Sequence, residues 1–120
     1  MPEASFPVEM VGGVPVVVAP EEIDITNAAR FRAALGEAGG RGPGGFVVDM
    51  SRTGFCDTAG LHALVAAHKR AMAEDGGVRL VITGPAVGRI LAITGLDAVI
   101  PQFASLDEAL MATPRGPAGS

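Results

Sequence analysis

The sequence predicts one α/β domain with a mixed sheet of about four or five strands and about four helices packed mainly on one side. Three observations support this fold class. Apolar runs of strand length alternate with segments whose apolar residues recur at helical spacing, which is typical of a largely parallel sheet. Two β-branched runs flank Gly12-Gly13 and predict a hairpin, which adds antiparallel pairing. The 120 residues suit a single domain.

Four predicted strands follow from apolar, β-branched runs bounded by turn residues. They are residues 6–11, 14–19, 46–48 and 78–83. The run at 46–48, Phe-Val-Val, is typical of a strand buried on both faces, and we expect parallel neighbours on both sides of it. Val99-Ile100 predicts a further short edge strand that Pro101 ends.

Four helices are predicted at residues 26–38, 58–74, 85–94 and 106–112. Asp24 or Thr26 is a candidate cap for the first helix, which is expected to end at the glycine-rich run 39–45. Asp57 stands at the N-cap position of the second helix, and Ser105 with Glu108 forms a capping box for the last. The apolar stripe of the second helix is predicted to be Leu61, Leu64, Val65, His68 and Met72. The predicted core comprises Phe46, Val47, Val48, Leu61, Leu64, Leu80, Ile82, Ile90 and Leu96. The domain is expected to span residues 1–112, followed by a disordered tail at 113–120.

Composition and charge exclude several classes of protein. Hydrophobic residues make up 48% of the chain and charged residues 18%, which is not the composition of a disordered protein. The net charge of −4 argues against direct binding of nucleic acid. Cys56 is the single cysteine, so an internal disulfide is excluded. The N-terminus resembles no signal peptide, and no apolar run approaches the roughly 20 residues that cross a membrane, so a cytoplasmic location is expected.

The sequence offers no pattern typical of an enzyme. It contains no phosphate loop, no cluster of metal ligands and no nucleophile with an adjacent base, so no catalytic residues, metal or cofactor are expected. Asp24 and Asp57 are the only carboxylates worth considering as a general acid/base pair, but no substrate pocket is predicted between them.

The most unusual segment is residues 49–61, where a buried strand is followed by a short loop and then a helix. The loop delivers Thr58 to the helix start, where free N–H groups and a partial positive charge favour an anion. A phosphate on the Thr58 hydroxyl is therefore expected to sit there without unfolding the helix. Gly60 lacks a side chain, which is expected to ease the approach of another protein. From these residues alone, a capped helix start without further function is the simpler interpretation.

Residues 49–61 resemble, without a gap, the signature of the STAS family (sulphate transporter and anti-sigma factor antagonist). The residues that match the family pattern are Asp49, Ser51, Phe55, Asp57, Gly60 and Leu61. The run from Glu22 to Ala28 and the stretch from Leu91 through Thr94-Gly95-Leu96-Asp97 to Leu110 are also similar, so the resemblance covers about residues 8–112. Glu21 and Arg52 replace usual glycines, and Ala59 replaces a usual Ser or Thr.

The resemblance implies a bacterial anti-sigma factor antagonist that regulates transcription, for instance in a stress response. Thr58 stands where the family carries its phosphorylated residue, and Ala59 leaves no second hydroxyl beside it. The implied partner is an anti-sigma serine/threonine kinase, which the unphosphorylated protein binds so that a sigma factor is released; a phosphatase would reverse the modification. The residues expected to contact the partner are Asp24, Asn27, Asp57, Thr58, Ala59, Gly60 and His62.

Two other functions remain open at this point: a scaffold module of the same family that does not switch, and a domain of that family that binds a small ligand. No single residue gives strong support to either of these two functions. Cys56 is a candidate redox sensor because of its place near a helix start, although a small apolar filler is the simpler interpretation. His62 is expected to be exposed and His68 to lie at the boundary of the core, too far apart on the helix to form a metal pair.

Overall fold

The computed structural model describes residues 6–41 and 44–114. Its main sheet has five strands in the order β1-β2-β4-β6-β7, and a separate two-stranded sheet pairs β3 with β5. The strands are β1 (Val8–Val11), β2 (Val14–Val18), β3 (Glu22–Ile23), β4 (Phe46–Asp49), β5 (Phe55–Cys56), β6 (Val78–Val81) and β7 (Gln102–Phe103). The helices are α1 (Ala28–Arg41), α2 (Thr58–Ala73), α3 (Pro85–Thr94) and α4 (Leu106–Ala112), with a short 3₁₀ helix at Leu96–Ala98.

The hairpin and the parallel centre of the sheet confirm the predicted topology. Gly12 and Gly13 both have positive φ, 58° and 86°, which a two-residue hairpin turn requires and glycine adopts without strain. β1 therefore pairs antiparallel with β2. β4 lies between β2 and β6 and is parallel to both. The sheet is mixed, as the sequence predicted.

The core lies on both faces of the main sheet. On one face, residues of α1, α2 and α3 such as Phe31, Leu64 and Leu91 pack against Phe46 and Val48. On the other face, Ala109 of α4 packs in a smaller cluster with strand residues such as Val47. Within the described ranges, three helices thus cover one face and a single short helix covers the other, which confirms the predicted arrangement.

The predicted core is largely confirmed, with three residues less buried than expected. Ile82, Ile90 and Leu96 are only partly buried, although they pack against the larger cluster. The predicted stripe of α2 is wrong at Met72, which is 56% exposed, because small residues of the helix, Ala63 and Ala71, turn inward instead.

Two element boundaries differ from the sequence prediction. α1 continues through Gly39-Gly40 to Arg41, because packing of its apolar face outweighs the low helix propensity of two glycines. The edge strand is β7 and not Val99-Ile100, whose backbone N–H groups both donate to the Leu96 carbonyl in a tight turn. Pro101 precedes the strand, and its carbonyl accepts a hydrogen bond from the Leu80 N–H at 2.9 Å.

The end of the domain lies slightly beyond the predicted boundary. Thr113, which the sequence assigned to the tail, is buried, and its hydroxyl donates to the Ala109 carbonyl at 2.8 Å. Pro114 is exposed, and the rest of the predicted tail, residues 115–120, lies outside the described residues, as do residues 1–5. None of the helices in the described ranges has the length and apolar character needed to cross a membrane.

Candidate functional site

The small β3–β5 sheet positions the predicted site. Its strands are parallel, with Glu22 opposite Phe55 and Ile23 opposite Cys56. The Asp57 N–H continues the pairing by donating to the Ile23 carbonyl at 3.0 Å. Asp24 and Asp57 each follow a paired residue directly, so the two carboxylates leave this sheet at the same end.

Asp57 caps α2, as the sequence predicted. One of its carboxylate oxygens, Oδ1, accepts hydrogen bonds from the N–H groups of Ala59 at 3.0 Å and Gly60 at 3.3 Å. The Asp57 carbonyl accepts the first helical bond, from the Leu61 N–H at 3.0 Å. The capping carboxylate therefore already holds two of the N–H groups that were expected to favour an anion at this helix start.

Thr58 is the first residue of α2 and is exposed. Its hydroxyl makes no hydrogen bond to any residue that the structure describes. A neighbouring hydroxyl, on Thr53, is buried and donates to the Pro20 carbonyl at 2.7 Å, which removes it from the surface. Ser51 is exposed and remains accessible, in the loop after β4.

Gly60 points into the protein and is buried. A Cβ atom at this position would lie 2.6 Å from Cys56 Sγ and 2.7 Å from Ile23 Cγ2, far inside normal contact distance. The structure therefore gives a different reason for this glycine than the one expected from the sequence. Gly60 allows α2 to pack closely on β3 and β5, so that Asp57 and Thr58 are held at a fixed position.

Asn27 holds the loop that carries Asp24. Its Oδ1 accepts from the Asp24 N–H at 2.9 Å, and its Nδ2 donates to the Glu22 carbonyl at 2.8 Å. The Asp24 carboxylate accepts from the hydroxyl and the backbone N–H of Thr26, and these hydrogen bonds lower the pKa of Asp24. The carboxylate is thus held ionised at one defined place beside α2.

Cys56 is buried, and burial together with the nearby Asp57 charge raises the pKa of its thiol to about 12. A thiol with so high a pKa stays protonated at neutral pH, which argues against a redox sensor and supports the interpretation of a small apolar filler.

His62 lies where the sequence predicted, whereas His68 is more deeply buried than the boundary position that was expected. His62 is exposed, whereas His68 is buried and its Nδ1 accepts from the Val78 N–H at 3.1 Å. Burial lowers the pKa of His68. A hydrogen bond to the Val99 backbone acts in the opposite direction, and the Arg79 charge lowers the pKa further. His68 therefore joins α2 to the start of β6 and takes no part in the Thr58 surface.

One cavity lies apart from the Thr58 turn. A cavity of about 250 Å³ lies between α1 and α2, lined mainly by glycines and alanines with Arg32, Arg70 and Glu74 at its rim. Its lining includes no residue of the Asp57–Leu61 turn. Across the described ranges, no group of three or more His, Cys, Asp or Glu side chains is placed to hold a metal ion.

Residues 5–109 match the STAS domain family. The chain belongs to this family. One relative of this STAS domain is "Anti-sigma-F factor antagonist RsfB" of Mycobacterium tuberculosis, which is 31% identical over 98 residues, or 82% of this chain and 80% of that protein. A crystal structure of an anti-sigma factor antagonist from Mycobacterium paratuberculosis is 35% identical, with a TM-score of 0.81 over 90% of this chain and 92% of that one. The phosphorylated form of the Bacillus cell fate determinant SpoIIAA has a TM-score of 0.68 over 90% of this chain and 98% of that one; at 21% identity this likeness shows the fold alone.

The STAS signature segment thus supplies β5, the capping Asp57 and the first turn of α2. Two exposed apolar residues were not predicted to contact a partner: Phe55, which lies within this segment, and Ile25, which follows Asp24. Ile25 stands in a short polar loop between Asp24 and Thr26. An apolar residue in such a loop could have been recognised from the sequence as exposed.

Proposed function

We propose that this STAS domain is an anti-sigma factor antagonist whose unphosphorylated form binds a cognate anti-sigma serine/threonine kinase and so releases a sigma factor. Phosphorylation of Thr58 switches this binding off, and a phosphatase restores it. The names of the mycobacterial relatives support the general role. The observation that carries the switch is the exposed, unbonded Thr58 hydroxyl at the start of α2.

The partner surface consists of the turn at the start of α2 and the loop before α1. Its residues are Asp24, Asn27, Asp57, Thr58, Ala59, Gly60 and His62. Their roles differ, because Gly60 is buried and Asn27 is bonded to the backbone of its own loop. We assign direct contact to Asp24, Thr58, Ala59 and His62. The other three residues, Asn27, Asp57 and Gly60, fix the shape of the surface from within.

The phosphate acts by charge at this surface. It adds about −1.5 to −2 charges beside the Asp57 and Asp24 carboxylates. Because Asp57 already bonds the N–H groups of Ala59 and Gly60, the phosphate remains on the outside and is not absorbed into the helix start. Burying such a charge in an interface that offers no partner for it costs several kcal/mol, enough to lower affinity by orders of magnitude.

The experiment combines phosphorylation and binding. The purified anti-sigma kinases of the source organism are incubated one by one with this protein and ATP, and the product is analysed by mass spectrometry. We expect one phosphate on Thr58 and none in Thr58→Ala. Calorimetry should give similar affinities for the parent and Thr58→Ala, and a strongly reduced affinity for Thr58→Glu.

Two outcomes would contradict the proposal. A phosphate on Ser51, the other exposed hydroxyl of this segment, would mean that Ser51 and not Thr58 is the acceptor. Equal affinities of Thr58→Glu and Thr58→Ala for the kinase would remove the charge mechanism and leave a STAS module that does not switch. The proposed role requires no catalysis and no cofactor of its own, and it places the protein in the cytoplasm with its kinase.

A further inference from the structure

The cavity between α1 and α2 exists because the residues that line it on the two helices are mostly small. α1 contributes three glycines to the lining, among them Gly36, and α2 contributes four alanines. A Cβ atom on Gly36 would meet no atom within 4 Å, so no neighbouring side chain fills the space that this glycine leaves. The packing of the two helices therefore leaves an open volume of about 250 Å³ between them.

The floor of this cavity is apolar, and its polar side chains are all charged. Leu35 and Phe46 line it and are 2% and 1% exposed. The charged lining residues are Arg32 on α1 and Arg70 and Glu74 on α2, and all three are exposed. A mostly apolar cavity with a few polar groups that fix the orientation of a ligand is typical of a small-molecule site.

The charges favour a ligand with one negative charge, because two arginines and one glutamate leave a single positive charge at the cavity. Arg70 and Glu74 stand four residues apart on α2 and are neighbours on its surface, so the glutamate offsets the charge of that arginine. Arg32 has no such neighbour, because the residue four positions later is Gly36. The Arg32 guanidinium forms no hydrogen bond or ion pair with any residue that the structure describes. It is therefore available to a carboxylate, whose geometry matches the planar guanidinium.

The volume limits the size of the ligand. At the roughly 30 Å³ that one water molecule occupies in the liquid, the cavity has room for about eight non-hydrogen atoms. A carboxylate group uses three of these, which leaves a chain of about five carbons. An unsubstituted chain suits the floor, because a polar group placed against Leu35 and Phe46 would lose its hydrogen bonds to water.

We infer that the cavity between α1 and α2 binds a straight-chain carboxylate of about six carbons. Arg32 holds the carboxylate, and the chain lies against Leu35 and Phe46. This inference goes beyond the proposed function, because the cavity lining includes no residue of the turn that carries Thr58.

The test uses this protein alone, labelled with nitrogen-15 and titrated with hexanoate in an NMR experiment. Butanoate tests the length of the chain, and hexylammonium tests the charge of the head group. Arg32→Gln removes the cation, and Gly36→Leu places a large side chain in the open space of the cavity. Arg89→Gln is the matched control, because Arg89 is an exposed arginine on α3 that does not line the cavity. Melting temperatures establish that each variant is folded.

We expect hexanoate to bind with a Kd of about 1 mM or lower and to shift the amide signals of the cavity glycines. Each methylene between butanoate and hexanoate should raise the affinity about fourfold, because it is buried against the floor. Arg32→Gln and Gly36→Leu should each lose at least about fivefold in affinity for hexanoate, and Arg89→Gln less than about twofold. Hexylammonium should bind far more weakly than hexanoate.

Four results would overturn the inference. They are no amide shifts with hexanoate, equal affinities for butanoate and hexanoate, equal binding of hexylammonium, and full affinity in folded Arg32→Gln or Gly36→Leu. The first two would mean that no chain is buried in the cavity, and the last two that Arg32 and the cavity do not form the site. All four leave the proposed function untouched, since no kinase enters the experiment.

Discussion

Gly60 lies so close to Cys56 that a Cβ atom on the glycine would be 2.6 Å from the cysteine Sγ. The second neighbour, Ile23, is β-branched and cannot easily turn aside. We therefore expect Gly60→Ala to destabilise the protein by about 1–3 kcal/mol, the usual cost of overpacking a core. Denaturant unfolding measures this free energy directly.

Gly36→Ala is the matched control for this prediction. Gly36 also lies within a helix, but a Cβ atom there would meet no atom within 4 Å. Alanine should stabilise α1 by about 0.5–1 kcal/mol, because it has the higher helix propensity. Opposite signs for the two substitutions would establish that contact, and not helix propensity, makes Gly60 necessary. Stabilisation by both would show that Gly60 is not constrained by packing.

The thiol of Cys56 should be almost unreactive in the folded protein. Its pKa is raised to about 12, and it is buried, so both the thiolate population and the access of a reagent are low. We expect iodoacetamide at neutral pH to modify Cys56 rapidly in denaturant and only slowly in buffer, as followed by mass spectrometry. Cys56→Val should keep the fold and partner binding, with a change in stability below about 1.5 kcal/mol. Rapid labelling of the folded protein would support the hypothesis that Cys56 is a redox sensor. An effect of oxidants on partner binding that is present in the parent and absent in Cys56→Val would support it as well.

His68 should make stability depend on pH. Burial lowers the pKa of its folded state, so the unfolded chain takes up a proton at a higher pH than the folded one. The stabilising effect of neutral His68 is complete above the unfolded pKa of about 6.5 and is lost as pH falls below it. Protonation also ends the hydrogen bond from the Val78 N–H to Nδ1, which is worth about 1 kcal/mol.

The measurement for His68 is the melting temperature between pH 8 and pH 5, for the parent and for His68→Gln. Carboxylates contribute little change over this range, so the decline in the parent should be steeper than that in the variant. Parallel curves for the two proteins would mean that His68 is not responsible.

The sequence predicted the fold well because its signals are local. Gly12-Gly13 requires positive φ, Asp57 and Ser105 are caps, and the apolar run at 46–48 has to be buried on both faces. The errors occur where tertiary contacts decide the outcome. The glycines at the end of α1 remain helical, and the edge strand lies after Pro101 because it pairs with β6 there.

At the site, the sequence correctly predicted the Asp57 cap and the exposed start of α2 at Thr58, but it did not give two relations that depend on distance. Whether Gly60 faces a partner or the interior depends on β3, more than 30 residues away in the chain. The N-cap position of Asp57 was predicted, but its consequence was not drawn: the capping carboxylate already holds the N–H groups of Ala59 and Gly60. Both relations change the expected effect of a phosphate on Thr58.

The last prediction concerns the coupling between Asp57 and a negative charge at position 58. A carboxylate in the first turn of a helix normally stabilises it by about 0.3–1 kcal/mol. In the parent this gain should be largely absent for Thr58→Glu, because Asp57 already bonds the N–H groups of Ala59 and Gly60 and repels a second charge. In an Asp57→Ala background those N–H groups are free, so Thr58→Glu should regain the full stabilisation.

A double-mutant cycle on the free energy of unfolding measures this coupling. Thr58→Gln in both backgrounds is the control, since it has nearly the same shape as the Glu variant without the charge. An equal effect of Thr58→Glu with and without Asp57 would mean that the helix start accommodates both charges independently. The phosphate would then be absorbed into the helix terminus, and its effect on the kinase would have to come from shape and not from exposed charge.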